Sequence, residues 1–306
     1  MIYGSTLNGF GTRTCDVDMS LSFPLGPPKG KVIVAKALVD YPNARDEQYI
    51  CAKVPIVRFR GKDGGIKADI SYRNDLALHN TKLLHQYCKW DRDRLPTLGI
   101  WVKTWAKRCG VGDASKGSLS SYAWILMLIH YLQRTEPIRM LPFLQLVNTE
   151  KRLIVILSGF QVLHSQCIAV STFELFVGFL DYFSTYFQYE RHVCYRPRNC
   201  RWPRCPMVIS DPFELDHNLA QSVNEDMFQY ICLCMEHSHA VFMDQNLRAE
   251  FLVSKGCPRG TADKVHMNDD LLREYGVSPF ADVLATYAYE YVLITSLSQI
   301  RCRCNA

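Results

Sequence analysis

The sequence predicts an α+β protein with a small lobe of mixed β-sheet followed by a larger helical lobe. Two observations support this prediction. Apolar and polar residues alternate in the first 74 residues, as in strands with one buried face. From Asp75 onward the apolar residues recur at helical spacing. We therefore expect three segments: 1–74, 75–245 and a C-terminal segment at 246–306.

The composition is that of a globular protein with a mild basic bias. Of 306 residues, 48% are hydrophobic and 21% are charged, and the net charge is +5. This charge permits an anionic partner such as RNA or a nucleotide without demanding one. The longest apolar run, at 123–132, is about half the length of a membrane span, so we expect no membrane association. No export signal is visible, and thirteen scattered cysteines predict reduced thiols in the cytoplasm.

Three strands and five helices follow from the apolar pattern. Val17, Met19 and Leu21 alternate with polar residues and predict a strand at 17–23. Two more strands are predicted, at 50–60 and 65–72, joined by a turn at 62–65. The helices are predicted at 76–90, 95–109, 118–133, 173–189 and 228–242, with one or two more at 269–297 and a loop at 190–206.

Two of these helices carry a further expectation. The helix at 95–109 should end in a left-handed cap at Gly110 or Gly112. The helix at 118–133 is apolar on nearly every side, which predicts that it lies at the centre of the helical lobe.

The cysteines do not predict a zinc site. Cys194, Cys200 and Cys205 are spaced more widely than the pairs of a zinc knuckle. Cys232, Cys234, His237 and His239 lie on a helix-like stretch and are expected to pack or face solvent.

Acidic residues on two predicted strands form the most informative pattern. Asp16 and Asp18 alternate with Val17 and so face one side of their strand, and Asp69 has the same relation to its apolar neighbours. If the two strands are adjacent, the carboxylates converge, and such like charges are costly unless cations neutralise them. Carboxylate oxygens suit Mg²⁺, and the turn at Gly4 and Ser5 offers backbone N–H groups to phosphate. An isolated Asp-x-Asp is more often a solvated strand edge, so the third acid and the turn carry the argument.

Four separated motifs then resemble one family. They are GSTLNGFGTR with DVD at 4–18, KADISY through LALHNT at 67–81, DASKGSLSSYA at 113–123 and DPFELDHNL at 211–219. Together they resemble the terminal uridylyltransferases and non-canonical poly(A) polymerases of the DNA polymerase β-like nucleotidyltransferase superfamily. The resemblance covers about 1–150 and 173–245. It is greatest to the animal terminal uridylyltransferases that carry CCHC zinc knuckles elsewhere, although no knuckle spacing exists here.

The resemblance implies a palm-like catalytic lobe, a helical lobe of the poly(A)-polymerase-associated type and an active-site cleft between them. It implies a Mg²⁺- or Mn²⁺-dependent transfer of UMP from UTP to RNA 3′ ends, with release of pyrophosphate. Asp16, Asp18 and Asp69 would be catalytic and would bind the metal ions. The implied nucleotide-binding residues are Gly4, Ser5, Asn80, Thr81, Lys103, Lys107, Ser121 and Tyr122.

On the sequence pattern alone, several of these residues would be assigned structural roles and no contact with a nucleotide. Lys103 and Lys107 are four apart, which is also typical of an exposed helix face. Tyr122 lies in an apolar helix and on pattern alone would belong to the core. Asn80 and Thr81 would otherwise form the polar side of a helix.

Base selection is expected at Asp211, Glu214 and His217. An imidazole N–H can donate to O4 of uracil, whereas adenine presents the opposite polarity at its amino edge. A nearby carboxylate can orient the ring or accept from uracil N3–H, so adenine would leave these groups unpaired. In the family a His at this position accompanies uridylyl transfer. The alternative is a cytoplasmic poly(A) polymerase that uses ATP.

RNA is expected to enter as a 3′ end held mainly through its phosphates, with Arg13, Arg58, Lys62 and Lys116 as candidate contacts. A recruiting RNA-binding protein is a further expected partner. The family's helix before the Gly-Ser turn is absent, which suggests an N-terminally truncated and weakly active protein, and 148–170 departs from the family pattern. A catalytically weak RNA-binding scaffold is the remaining alternative, although three intact acids argue against it.

Overall fold

A computed structural model describes residues 1–12, 15–22, 44–50, 54–61, 66–134, 140–142, 170–189, 205–214 and 216–243. Within these residues the predicted α+β class is confirmed, since a mixed sheet is followed by helices and only the short helix at Ser5–Asn8 lies between strands. Several predictions lie outside the described residues. They concern Arg13, Lys62, Cys194, Cys200, the turn at 62–65, the departure at 148–169, most of the loop at 190–206 and the helical segment at 269–297.

One mixed sheet contains five strands in the order β1-β2-β5-β4-β3. The strands are β1 (Ile2–Tyr3), β2 (Val17–Leu21), β3 (Ala44–Ile50), β4 (Ile56–Gly61) and β5 (Lys67–Tyr72). The pair β2 and β5 is parallel, and the other neighbouring pairs are antiparallel. The parallel pair matters for function because it places the two acid-bearing strands side by side.

The prediction of one strand over residues 50–60 is wrong. Ile50 ends β3 and Ile56 begins β4, and these two residues are antiparallel partners, so the chain reverses direction between them. The strand β3 escaped prediction because its sequence, ARDEQYI, has no apolar alternation. It is an exposed edge strand with a register shift between Arg45 and Gln48, where Asp46 has a φ of 56°.

The apolar face of the sheet follows the predicted alternation. Val57 and Ile70 are buried, and Met19, Leu21 and Phe59 pack against them. Since side chains alternate along a strand, the intervening residues of β2 and β5 face the other side. Hydrophobic burial on one face therefore fixes which residues appear on the polar face.

The described helices lie close to their predicted positions, except for the short helix at Ser5–Asn8, which was not predicted. They are α1 (Ser5–Asn8), α2 (Asp75–Trp90), α3 (Leu95–Arg108), α4 (Ser121–Arg134), α5 (Thr172–Asp181) and α6 (Glu225–Met243). The helix α5 continues into a π-helical turn at Tyr182–Tyr186, which ends the predicted helix at 173–189 early. Gly110 has a φ of 72°, so the left-handed cap after α3 is confirmed. The helix α4 is buried around most of its circumference, as its composition predicted.

The described residues fall into two compact units. The first contains those up to Ile100 together with 140–142 and 212–214. The second contains 101–134, 170–189, 205–211 and 216–243. The predicted functional boundaries at residues 74 and 245 stay predictions.

No described helix has the length and apolarity that a bilayer crossing requires. The six described cysteines, which include Cys205, Cys232 and Cys234, are all free thiols. Cys234 is buried within α6, in agreement with the predicted packing role of this segment. The cytoplasmic location stays a prediction.

Candidate active site

A tight turn connects β1 to α1 at the predicted Gly4 and Ser5. Gly4 has φ 76° and ψ −154°, a combination that residues with a Cβ avoid. A Cβ on Gly4 would lie 2.2 Å from Oδ2 of Asp18, so the glycine also lets the turn approach this carboxylate. The carbonyl of Gly4 accepts from the N–H groups of Leu7 and Asn8, at 3.1 and 3.0 Å. The turn thus lies directly beside one of the three predicted acids.

A threonine of α2 fixes this turn from the side. The Thr81 hydroxyl accepts a hydrogen bond from the Gly4 N–H at 2.9 Å and donates to the Ala77 carbonyl at 2.7 Å. Thr81 is buried, and its neighbour Asn80 is half-buried. The structure therefore gives Thr81 a role in positioning the turn, while the predicted contacts of both residues with a nucleotide stay predictions.

The parallel pairing of β2 with β5 brings two of the acids together. Asp18 and Asp69 are direct partners in this register, so both side chains project from the polar face of the sheet. Asp16 precedes β2 by one residue and has the same parity as Asp18. Asp16 and Asp18 are half-buried, whereas Asp69 is buried. We refer to Asp16, Asp18 and Asp69 below as the carboxylate row.

An arginine of β4 binds the third acid. Arg58 is the antiparallel partner of Asp69, and its Nε and a terminal nitrogen donate to Oδ1 and Oδ2 of Asp69, both at 2.8 Å. This bond raises the pKa of Arg58, and the charges of Asp16 and Asp18 act in the same direction. One guanidinium therefore lies in the field of all three carboxylates. Sequence reasoning had placed Arg58 only among candidate RNA contacts.

The charges of the carboxylate row also affect the pKa of Tyr3. Its ring lies beside the row because Tyr3 is the strand partner of Asp18, and its hydroxyl hydrogen-bonds to Ser71 at 3.2 Å. Burial is the main cause that raises the pKa of Tyr3, and the charges of Asp18 and Asp69 add to it. The negative charges of these acids therefore raise the pKa of both Arg58 and Tyr3.

The donor chemistry of the carboxylate row fits a hard divalent cation. Carboxylate oxygens are the ligands that Mg²⁺ takes in phosphoryl-transfer sites, and the in-register pair of Asp18 and Asp69 suits a shared ion. In the part of the chain that the structure describes, however, no three acidic, His or Cys side chains are grouped closely enough to hold one ion. In the structure, the Asp69 carboxylate is bonded to Arg58. The metal triad stays a prediction.

Four of the predicted nucleotide-binding residues belong to the second unit. Lys103 and Lys107 lie one turn apart on α3, the first half-buried and the second exposed. Ser121 is the exposed first residue of α4, and Tyr122 is half-buried beside it. Tyr122 is thus not fully enclosed, in contrast to the apolar residues that follow it. The roles assigned to these four residues stay predictions.

A loop between residues 207 and 220 holds the predicted base-selecting residues. Asp211 is buried and its N–H donates to the His217 carbonyl at 3.1 Å. His217 is half-buried in the second unit, whereas Glu214 is exposed and groups with the first. The structure therefore brings Asp211 and His217 together through the backbone.

Asn218 closes this loop, and sequence reasoning missed its role. Its Oδ1 accepts from the N–H groups of Ile209 and Ala220, both at 2.9 Å, and its Nδ2 donates to the Met207 carbonyl at 3.2 Å. Asn side chains commonly substitute for backbone partners in turns, which is the signal that could have identified it. Because Asn218 directly follows His217, it sets the backbone position of the predicted base-selecting histidine.

The chain matches a family model. Residues 1–89 match the central palm domain of the mitochondrial-like poly(A) RNA polymerases. This range contains the Gly4 turn, the carboxylate row and most of α2. The match therefore covers the part of the chain in which the acids are paired.

Named relatives match over a longer range. Human terminal uridylyltransferase 4 is 33% identical over 270 residues, which is 79% of this chain and 16% of that protein. Zebrafish (Danio rerio) poly(A) RNA polymerase GLD2 is 33% identical over 262 residues, which is 77% of this chain and 52% of that protein. The chain thus spans about half of the shorter relative and a small part of the longer one.

Two solved structures share the fold. The Cid1 poly(U) polymerase bound to MgATP superposes with a TM-score of 0.66 at 22% identity, covering 80% of this chain and 82% of that one. The GLD-2/RNP-8 complex gives a TM-score of 0.62 at 28% identity, covering 81% and 83%. The predicted fold is that of nucleotidyltransferases of this type.

Replacing Gly4 with alanine tests the turn. The backbone of Gly4 lies in a glycine-only region, so Gly4→Ala should lower the free energy of unfolding by about 1–3 kcal/mol. Urea denaturation followed by circular dichroism measures this change. Gly61→Ala is the matched control, since a Cβ there would meet only the Ile66 carbonyl at 3.9 Å. Equal stability of the two variants would show that the turn is not constrained as described.

Replacing Asn218 with alanine tests the loop. The change removes three hydrogen bonds in a buried position and should lower the free energy of unfolding by about 2–4 kcal/mol. The control is Asn224→Ala, which removes one exposed bond to the Met227 N–H and should cost about 1 kcal/mol. Thermal unfolding of both variants measures the difference. A smaller loss for Asn218 than for Asn224 contradicts its role in closing the loop.

Proposed function

Because the chain belongs to the family of terminal uridylyltransferases and poly(A) RNA polymerases, we propose that it transfers nucleoside monophosphates from nucleoside triphosphates to RNA 3′ ends. The observation that carries this proposal is the in-register pairing of Asp18 with Asp69 beside the Gly4 turn. Such a transfer joins the RNA 3′ oxygen to the α-phosphorus, breaks the bond to the β-phosphate oxygen and releases pyrophosphate.

The carboxylate row would supply the negative oxygens that hold divalent cations in this reaction. When bound, Mg²⁺ would neutralise the charge on the phosphates and make the RNA 3′ hydroxyl easier to deprotonate. Asp16, Asp18 and Asp69 are the residues that would hold it. The Cid1 poly(U) polymerase, which shares the fold, was solved with MgATP, and this supports a divalent ion as the cofactor here.

The chain's other predicted residues would bind and orient the triphosphate. The Gly4 N–H is bonded to Thr81, so the N–H groups that follow it in the turn would be offered to anionic oxygens, and the Ser5 hydroxyl stands at the start of α1. Lys103 and Lys107 share one face of α3, so their charges would balance the phosphates as the substrate binds. Tyr122 offers an aromatic face on which the base would stack. Ser121 would assist as a hydroxyl donor.

We propose UTP as the preferred nucleotide, on the strength of His217. An imidazole N–H directed at O4 of uracil would meet the amino group of adenine, which is itself a donor. Asp211 lies across the loop from His217 and, with Glu214, is the acid assigned to uracil N3–H or to the imidazole.

ATP is the second candidate nucleotide. The zebrafish relative named poly(A) RNA polymerase GLD2 is as similar to this chain as the uridylyltransferase, at 33% identity. Overall similarity therefore favours neither base, and the loop residues decide the proposal.

RNA would bind mainly through its phosphates, and a recruiting protein would supply the choice of target. The GLD-2/RNP-8 complex is a solved example in which a protein of this fold binds a protein partner. By analogy, we propose that an RNA-binding protein recruits this chain, and that both act in the cytoplasm.

An extension assay with each nucleotide separately tests the proposed reaction. Wild-type protein with Mg²⁺ should lengthen a 3′-hydroxyl RNA most efficiently with UTP. Asp18→Asn should reduce extension by at least 100-fold, because the row loses a charge that holds the cation. Asp75→Asn is the matched control: Asp75 is exposed in the first turn of α2, and its loss should leave extension unchanged. Extension that survives Asp18→Asn would exclude the carboxylate row as the catalytic centre.

Replacement of His217 tests the choice of base. His217→Ala removes the proposed donor to uracil O4 and should lower the UTP-to-ATP ratio of kcat/KM by at least tenfold. His85→Ala is the control, since His85 is an exposed histidine of α2. Steady-state kinetics with both nucleotides gives the ratio. An unchanged ratio for His217→Ala, or ATP preference in the wild type, contradicts the proposed selection of UTP.

A further inference from the structure

We propose that Arg58 is an internal counterion of the carboxylate row, and that a divalent ion must compete with its guanidinium for Asp69. This inference rests on the proposed function, because it concerns the same carboxylates. Arg58 would then be a positioning residue, which sets how readily the row takes up its cation.

The geometry of the ion pair supports competition for the same oxygens. The guanidinium uses two nitrogens and binds both Oδ1 and Oδ2 of Asp69 at 2.8 Å. Such a bidentate pair is among the stronger charge-assisted arrangements and fixes the plane of the carboxylate. It directs Asp69 toward β4. An ion shared with Asp18 would need Asp69 to face β2, on its other side.

The two partners differ in their freedom to move. The side chain of Asp69 is 9% exposed, whereas that of Arg58 is 41% exposed. Asp69 is therefore held by the packing of β5 between β2 and β4. Arg58 can rotate into solvent without moving its strand. Exchange of the arginine for a metal ion thus requires the motion of one side chain only.

The charges of the row explain why a positively charged side chain lies among the three acids. Three carboxylates on one patch of the sheet repel one another, and the cost falls when a positive charge lies among them. The Arg58 guanidinium feels the charges of Asp16 and Asp18 in addition to its bond with Asp69. The charge of Arg58 lowers the repulsion only in part, and a divalent ion would lower it further. Arg58 therefore stabilises the metal-free row, and a divalent ion displaces it from Asp69.

The neighbouring arginine on the same strand provides a contrast. Arg60 lies two residues after Arg58 on the same face of β4 and approaches Asp46 at 3.8 Å. Both side chains of this second pair are exposed, at 52% and 71%, and the contact involves one nitrogen. Removal of Arg60 changes the net charge as removal of Arg58 does, but leaves Asp69 bound. Arg60 is therefore the matched control.

The test measures metal binding and stability directly, without the reaction. Wild type, Arg58→Gln, Arg58→Lys and Arg60→Gln are titrated with Mn²⁺, and free Mn²⁺ is followed by electron paramagnetic resonance. Loss of the competing charge should tighten Mn²⁺ binding by about tenfold in Arg58→Gln. Arg58→Lys keeps the positive charge but loses the bidentate bond, so its Mn²⁺ affinity should lie between those of the wild type and Arg58→Gln. Arg60→Gln should bind as the wild type does.

Thermal unfolding in EDTA and in saturating Mn²⁺ provides the second measurement. Arg58→Gln should melt below the wild type in EDTA, since Asp69 loses its bond to the Arg58 guanidinium, and its melting temperature should rise more on addition of Mn²⁺. Unchanged or weaker Mn²⁺ binding in Arg58→Gln overturns the inference, and so does the absence of Mn²⁺ binding in both proteins. If Arg58→Gln does not fold, Arg58→Lys decides the question by the same criterion.

The outcomes separate this inference from the proposed function. RNA extension by the wild type together with unchanged Mn²⁺ affinity in Arg58→Gln supports the function and overturns the counterion. Tighter Mn²⁺ binding in Arg58→Gln without RNA extension by the wild type supports the counterion and overturns the function.

Discussion

Repulsion between aligned carboxylates is the constraint on which the candidate site depends. The parallel register places Asp18 opposite Asp69, and packing of Met19 and Ile70 on the other face maintains this register. A slip of one residue would turn the acids into the apolar layer and the apolar residues into solvent. The core of the sheet thus holds two like charges together, and a cation must accompany them. Arg58 supplies one, and a substrate-bound metal ion would supply more.

The backbone contributes as much to this site as the acidic side chains. The Gly4 turn can lie against Asp18 only because it has no Cβ, and Thr81 holds it there through a single hydrogen bond from another element. The position of the turn therefore depends on the docking of α2 onto the sheet. The match to the palm domain likewise includes nearly all of α2, to residue 89. Sheet, turn and helix form one structural element of the site.

The sequence predicted features that repeat locally and missed those that depend on distant pairing. Alternation identified β2, and helical spacing identified α2 to α6. The edge strand β3 has no such pattern, because an exposed strand buries no regular face. The pairing of Arg58 with Asp69 depends on the register of β4 against β5, and the role of Asn218 depends on how its loop closes. Neither is encoded by spacing along the chain. The adjacency of Asp18 and Asp69 was a condition of the predicted site, and the parallel pairing of β2 with β5 meets it.

The proposed chemistry and the proposed choice of base rest on different residues of the chain. The carboxylate row lies in the first unit and is proposed to act on the phosphates, so it would serve any nucleoside triphosphate. Asp211 and His217 lie in the second, in a loop held by Asn218. A change of nucleotide in this family would then require changes in one loop and none in the sheet. Relatives named for uridylyl and for adenylyl transfer can accordingly match this chain at the same 33% identity. Similarity to these relatives therefore predicts the reaction, and the loop predicts the base.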